Sequence, residues 1–193
     1  MSRLPGIVCF EGSWSDRLDG GESIEPALRC LESFGVAKVV HKDVATRGEL
    51  EHYVGKWLGR SGRAMPTYGL GIFAFHGSRG GLTIGGEDLG LESLAEIIRG
   101  RASGRIIYLG GCDVLALPSE DLMWFCRETG AKGLVGYSRS IELVDAVAFE
   151  MVLIQTTLTG TSFKPIYNRL RRDHPDWTKR LGLRMAHRNW ASA

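Results

Sequence analysis

The stretch Leu70-Gly-Ile-Phe-Ala-Phe-His76, followed by Gly77, decides how the rest of this chain is read. Its apolar residues run on without alternating with polar ones. That is the pattern of a strand buried on both faces, which belongs to a parallel sheet covered by helices. An imidazole and then a glycine end the run. About one strand and one helix further on, Arg105-Ile-Ile-Tyr-Leu109 repeats the arrangement and delivers Gly110, Gly111 and Cys112.

Working outward, strand and helix patterns alternate along the chain. Gly6 to Phe10 reads as a first strand, and Glu22 to Phe34 as a helix stopped by Gly35. Val36 to His41 reads as a second strand. Thr46 with Glu49 forms a capping box for a helix whose apolar face is Leu50, Val54, Trp57 and Leu58. A Gly/Ser/Arg/Pro-rich loop, Gly59 to Thr67, precedes the Leu70–His76 strand. Gly80 to Leu89 reads as a hairpin turning at Gly85 and Gly86. A helix from Leu91 to Arg99, the Arg105–Leu109 strand, a helix from Pro118 to Gly130, a strand from Lys132 to Gly136 and a long helix from Ser140 to Thr159 complete the series. The expected fold is a three-layer α/β/α sandwich on a mainly parallel sheet. It spans residues 1–160, and residues 161–193 form a basic helical tail packed on the same domain.

Composition narrows the function classes. With 24 Lys and Arg against 22 Asp and Glu, the charge neither demands nor forbids an anionic partner. The tail is the exception: eight Lys/Arg face two Asp from Gly160 onward. Its apolar positions Ile166, Leu170, Trp177, Leu181 and Met185 fit amphipathic helices packing on the sheet, so the reading here is against nucleic acid. No apolar run is long enough for a membrane helix, and Glu11 interrupts the N-terminal apolar run, so a cytoplasmic protein is expected. The four cysteines, Cys9, Cys30, Cys112 and Cys126, show neither Cys-x-x-Cys spacing nor a partner histidine at metal-ligand spacing. Neither a metal site nor a cofactor is expected, and Cys9 and Cys126 read as small buried hydrophobes.

His76 and Cys112 carry the chemistry. Ligand sites of open α/β sheets lie beyond the carboxyl ends of the strands, where both residues sit. A thiol becomes a strong nucleophile as the thiolate, and a nearby imidazole takes its proton. The N–H groups of Gly77 and Cys112 form a candidate oxyanion hole, and Gly110 with Gly111 allow a sharp turn before the sulfur.

This layout resembles the caspase-like fold of cysteine peptidases, which includes caspases, metacaspases and the bacterial CHAT-type peptidases. The resemblance rests on Phe75-His76-Gly77, the Gly80–Leu89 hairpin and Gly110-Gly111-Cys112. The downstream segments Gly130 to Tyr137 and Val144-Asp145 with the apolar helix also resemble CHAT-type domains, over residues 6 to 160. The short chain, with Cys9-Phe-Glu-Gly-Ser-Trp14 near its start, is similar to small bacterial single-domain members. Two features depart from caspases: Gly-Gly-Cys-Asp-Val stands in place of Gln-Ala-Cys-x-Gly, and His76 lies 36 residues before Cys112, against roughly 50 in caspases.

The resemblance implies an endopeptidase working through a thioester, with a protein or peptide substrate and a regulatory protein partner, in a bacterial stress or defence module. It implies a substrate pocket near Glu11, Asp113, Tyr137 and Arg139. Glu11 and Asp113 would favour a basic substrate, Arg79 and Arg139 an acidic one, and the residues leave that choice open. The alternative is a catalytically silent interaction domain on the same fold.

Overall fold

A computed structural model describes residues 4–17, 19–59 and 64–193. Residues 60–63 of the expected Gly59–Thr67 loop lie outside the described residues. In chain order the elements are β1 (Gly6–Glu11), α1 (Glu25–Ser33), β2 (Lys38–Asp43), α2 (Arg47–Leu58), β3 (Tyr68–Ala74), β4 (His76–Ser78), β5 (Gly81–Ile84) and β6 (Glu87–Gly90). They continue with α3 (Leu91–Ile98), β7 (Ile106–Leu109), α4 (Ser119–Thr129), β8 (Gly133–Tyr137) and α5 (Leu143–Thr159). The chain ends with α6 (Phe163–Asp173), α7 (Pro175–Arg180), β9 (Leu183–His187) and β10 (Trp190–Ala191).

Seven strands form one sheet in the order β10-β9-β8-β7-β3-β1-β2. The five strands from β8 to β2 are parallel; β9 runs antiparallel to β8, and β10 to β9. Alternate side chains along each strand feed two cores. Phe10, Phe73, Leu109 and Leu134 pack with residues of α2, α3 and α4. Ile7, Ile72, Tyr108 and Tyr137 pack with residues of α1, α5 and α6 on the other face. The fold is therefore a mixed α/β structure with a mostly parallel sheet between two helical layers.

Local chemistry explains the boundaries. Thr46 Oγ1 accepts from the Glu49 N–H at 3.2 Å, while Glu49 returns a carboxylate to the Thr46 N–H at 3.1 Å, which closes the capping box. Gly85 and Gly86 both have positive φ, 59° and 80°, as a two-residue hairpin turn requires.

Three expectations need correction. His76 does not end β3: the chain leaves the sheet after Ala74, and His76 opens β4, paired with Thr83 in a separate three-stranded sheet, β4-β5-β6. The helices expected from Glu22 and Ser140 start at Glu25 and Leu143, because the residues before them are used in side-chain and loop contacts. The tail is only partly helical: Met185, expected on a helix, lies on β9 and pairs with Val135.

β3 passes so close beneath α2 that glycine is required. A Cβ on Gly71 would lie 2.2 Å from the Trp57 ring, which is buried and held by an Nε1–H bond of 2.8 Å to the Tyr68 carbonyl. Gly71→Ala is expected to destabilise the fold by about 1–3 kcal/mol through overpacking; a urea-unfolding midpoint equal to wild type would contradict this packing.

Candidate functional site

β3 and β7 are hydrogen-bonded neighbours, in the register Phe73↔Leu109. The two chains therefore emerge side by side at the carboxyl edge of the sheet. They stay in contact beyond it. A Cβ on Gly77 would lie 2.6 Å from the Cys112 carbonyl oxygen and 3.0 Å from its nitrogen, and one on Gly111 would lie 2.9 Å from the Phe75 carbonyl oxygen and 3.0 Å from Gly77 Cα. Gly77 and Gly111 serve close backbone approach, and neither Gly110 nor Gly111 is among the residues with positive φ. The turn itself is made by Asp113, a non-glycine residue at φ 57°, whose N–H donates to the Arg139 carbonyl at 3.1 Å.

His76 and Cys112 line one cavity of about 280 Å³, with Trp14, Ile24, Ile72 and Leu143 among its walls. The exposed His76 ring lies edge-on to Trp14, and its Nε2 is 3.2 Å from the Trp14 carbonyl. A carbonyl can only accept, so Nε2 carries the hydrogen in the neutral ring and Nδ1 keeps the lone pair. The half-buried Cys112 sulfur accepts from the Ile141 N–H at 3.4 Å and reaches the Ile141 carbonyl at 3.8 Å. Among the described residues, no hydrogen bond joins the imidazole to the sulfur. The other cysteines are also free thiols; burial raises the Cys9 thiol well above its ordinary value and pushes Cys126 up to about 12.

The four expected pocket residues are dispersed. Glu11 is buried, and its carboxylate accepts from Trp14 Nε1–H at 2.5 Å, Ser23 Oγ–H at 2.7 Å and the Ile24 N–H at 2.8 Å, and pairs with His41 Nε2 at 2.6 Å. It is a structural anchor, and it lines a neighbouring cavity rather than the one shared by His76 and Cys112. Burial favours its neutral form, but the hydrogen bonds from His41, Trp14, Ile24 and Ser23 outweigh this and hold it below the ordinary carboxylate value. The bond to Glu11 raises His41 against the opposing effect of burial. Glu11 thus stabilises the fold above pH 4.5, and that contribution is lost as pH falls through its depressed folded value. The His41 contribution is complete below pH 6.5 and is lost as pH rises through its elevated folded value.

Tyr137 is fully buried in the core and does not line the cavity. Its hydroxyl has no hydrogen-bond partner within bonding geometry, although it lies close enough to Tyr108 to interact with it electrostatically. Asp113 and Arg139 stand outside the cavity as well, beside the Cys112 loop.

Sequence reasoning missed three residues here. Trp14 orients His76, Ile141 holds the sulfur, and Glu150 of α5 lines the cavity while being almost completely buried. Glu150 accepts a hydrogen bond from the Tyr108 hydroxyl. Burial, opposed by that bond, raises its pKa to about 7. Its visible signal is a lone acid inside the apolar run Ala146 to Ile154. Among the described residues, no group of three or more His, Cys, Asp or Glu side chains is placed to hold a metal. No helix among them is long and apolar enough to cross a membrane.

A family model described as a family of unknown function, DUF6642, matches residues 5–187, and the chain belongs to that family. No curated protein compared with the chain matches it.

Because Glu150 is neutral in the fold below about pH 7, its ionisation costs stability that accumulates between pH 4.5 and 7 and is constant above. Glu150→Gln keeps the acceptor for Tyr108 and is expected to stabilise the protein by up to about 3 kcal/mol at pH 8, with a smaller gain at pH 5. Denaturant titrations at the two pH values check this, and an equal gain at both would contradict the assignment.

Proposed function

We propose that this chain is a caspase-like cysteine peptidase acting in the cytoplasm through His76 and Cys112. The observation that carries the reading is that the imidazole and the thiol border one cavity, with the Gly77 backbone packed against the Cys112 peptide. His76 Nδ1 takes the thiol proton as the sulfur attacks the carbonyl carbon of a bound peptide. The oxyanion that forms draws on the N–H groups of Gly77 and Cys112. Collapse breaks the carbon–nitrogen bond, and the leaving amine takes the proton held by His76. Water, deprotonated by the same imidazole, then hydrolyses the thioester and restores the thiol.

Trp14 supports this cycle by engaging the ring's hydrogen-bearing nitrogen, which leaves Nδ1 as the base, and Glu11 supports Trp14. The sulfur's bonds to Ile141 must be exchanged for the imidazole during reaction. That tether also favours a second reading, a catalytically silent protein-interaction domain. On the peptidase reading, a regulatory protein partner would act by releasing the sulfur from the Ile141 segment.

A thiol-directed electrophilic peptide probe separates the two readings. In a Cys30→Ser background the probe is expected to label Cys112, and cleavage of a peptide library should fall on the order of 10³-fold or more with Cys112→Ala. His76→Ala is expected to cost on the order of 10²–10⁴-fold. Absence of labelling and cleavage, with folded protein and candidate partners present, would leave the silent domain as the function.

A further inference from the structure

A third cavity, of about 540 Å³, opens on the same edge of the sheet. β8 ends there at Tyr137, and antiparallel β9 begins opposite it at Leu183. Its walls carry Arg139 from the turn after β8, Arg171 from α6, Lys179 from α7 and Arg184 from β9. No Asp or Glu side chain lines it. Among the described residues none of these four cations is in an ion pair, whereas the neighbouring Arg169, Arg172 and Arg180 are neutralised by Asp173 or Asp145.

Arg184 is the most constrained of the four. It is half-buried and donates to the Leu117 carbonyl at 3.3 Å and to Ser119 Oγ, at the start of α4, at 3.2 Å. Its Nε is buried without an acceptor. A buried guanidinium N–H left unpaired costs stability. The cations come from four separate segments around a concavity, not from a stripe along one helix or strand, which a linear polymer would follow. The volume suits a small molecule. Guanidinium forks pair with phosphate oxygens two at a time, and the ammonium adds a point charge.

We propose that this basic cavity binds a compact phosphate-bearing small molecule through Arg139, Arg171, Lys179 and Arg184. The site is independent of the peptidase reading but physically joined to the Cys112 loop. A Cβ on Gly182, at φ 63°, would lie 2.8 Å from Arg139 Cγ, so the Arg139 stem rests on the cavity wall. Its carbonyl, in turn, holds the Asp113 N–H.

Inorganic pyrophosphate is the probe, titrated calorimetrically into the full chain at low salt. Saturable binding is expected, weakened at least tenfold by Arg171→Gln with Lys179→Gln, two exposed positions whose loss leaves the core intact. A matched control, Lys38→Gln with Lys132→Gln at the opposite edge of the sheet, should bind as wild type does. No saturable binding, or equal weakening in both double variants, would overturn the proposal. So would a single-stranded RNA that binds more tightly than pyrophosphate and is unaffected by Arg171→Gln with Lys179→Gln.

Discussion

The carboxylate of Glu11 is the constraint on which the site depends. At the end of β1, it joins Trp14 in the following loop, Ser23 and Ile24 before α1, and His41 on β2. Burying a carboxylate is costly unless hydrogen bonds replace its water, and here four partners from three segments do so. His41 is supported in turn by Glu25 at 3.6 Å. The bonds hold the loop that carries Trp14, and through the Trp14 carbonyl they set the ring of His76. A carboxylate that does not itself line the cavity of His76 and Cys112 thus governs the orientation of the imidazole there.

Beyond the strands, the site is held by backbone. Gly77, Gly111 and Cys112 meet at distances that leave no room for a Cβ, and Val114 closes the same contact. The peptide groups around the thiol are fixed by packing, while the sulfur itself is held by weak bonds to Ser140 and Ile141. On the peptidase reading proposed above, rigid donors would stand beside a thiol that the segment before α5 can hold or release.

Much of this was legible because it is local or periodic. The unbroken apolar run at β3 announced a strand covered on both faces, Thr46 with Glu49 marked a helix start, and Gly85-Gly86 marked a turn. The adjacency of β3 and β7, the strands that precede His76 and Cys112, followed from the alternation of strands and helices. The true role of Glu11 was not legible, because its partners lie up to 30 residues away and none forms a motif with it. β9 was missed for a related reason: Leu183 to His187 is short and basic, and it becomes a strand by pairing with β8. The turn at Asp113 was hidden behind two glycines that looked like its cause. Trp14 left a fainter trace, an aromatic residue just past a strand end at the edge where sites form.

The antiparallel end of the sheet has a consequence for the molecule in a crowded solution. β9 and β10 cover the side of β8, whose side chains are buried on both faces and whose N–H and C=O groups would otherwise form an open ladder. β10 is only two residues long, too short to template a neighbouring chain. The opposite margin, β2, bears Lys38, Lys42 and Asp43, charges that discourage strand addition. The last segment of the sequence is thus a guard against self-association as well as part of the core. Cutting it away would expose an adhesive interior strand, so a truncated chain would report clumping before it reported any change in chemistry.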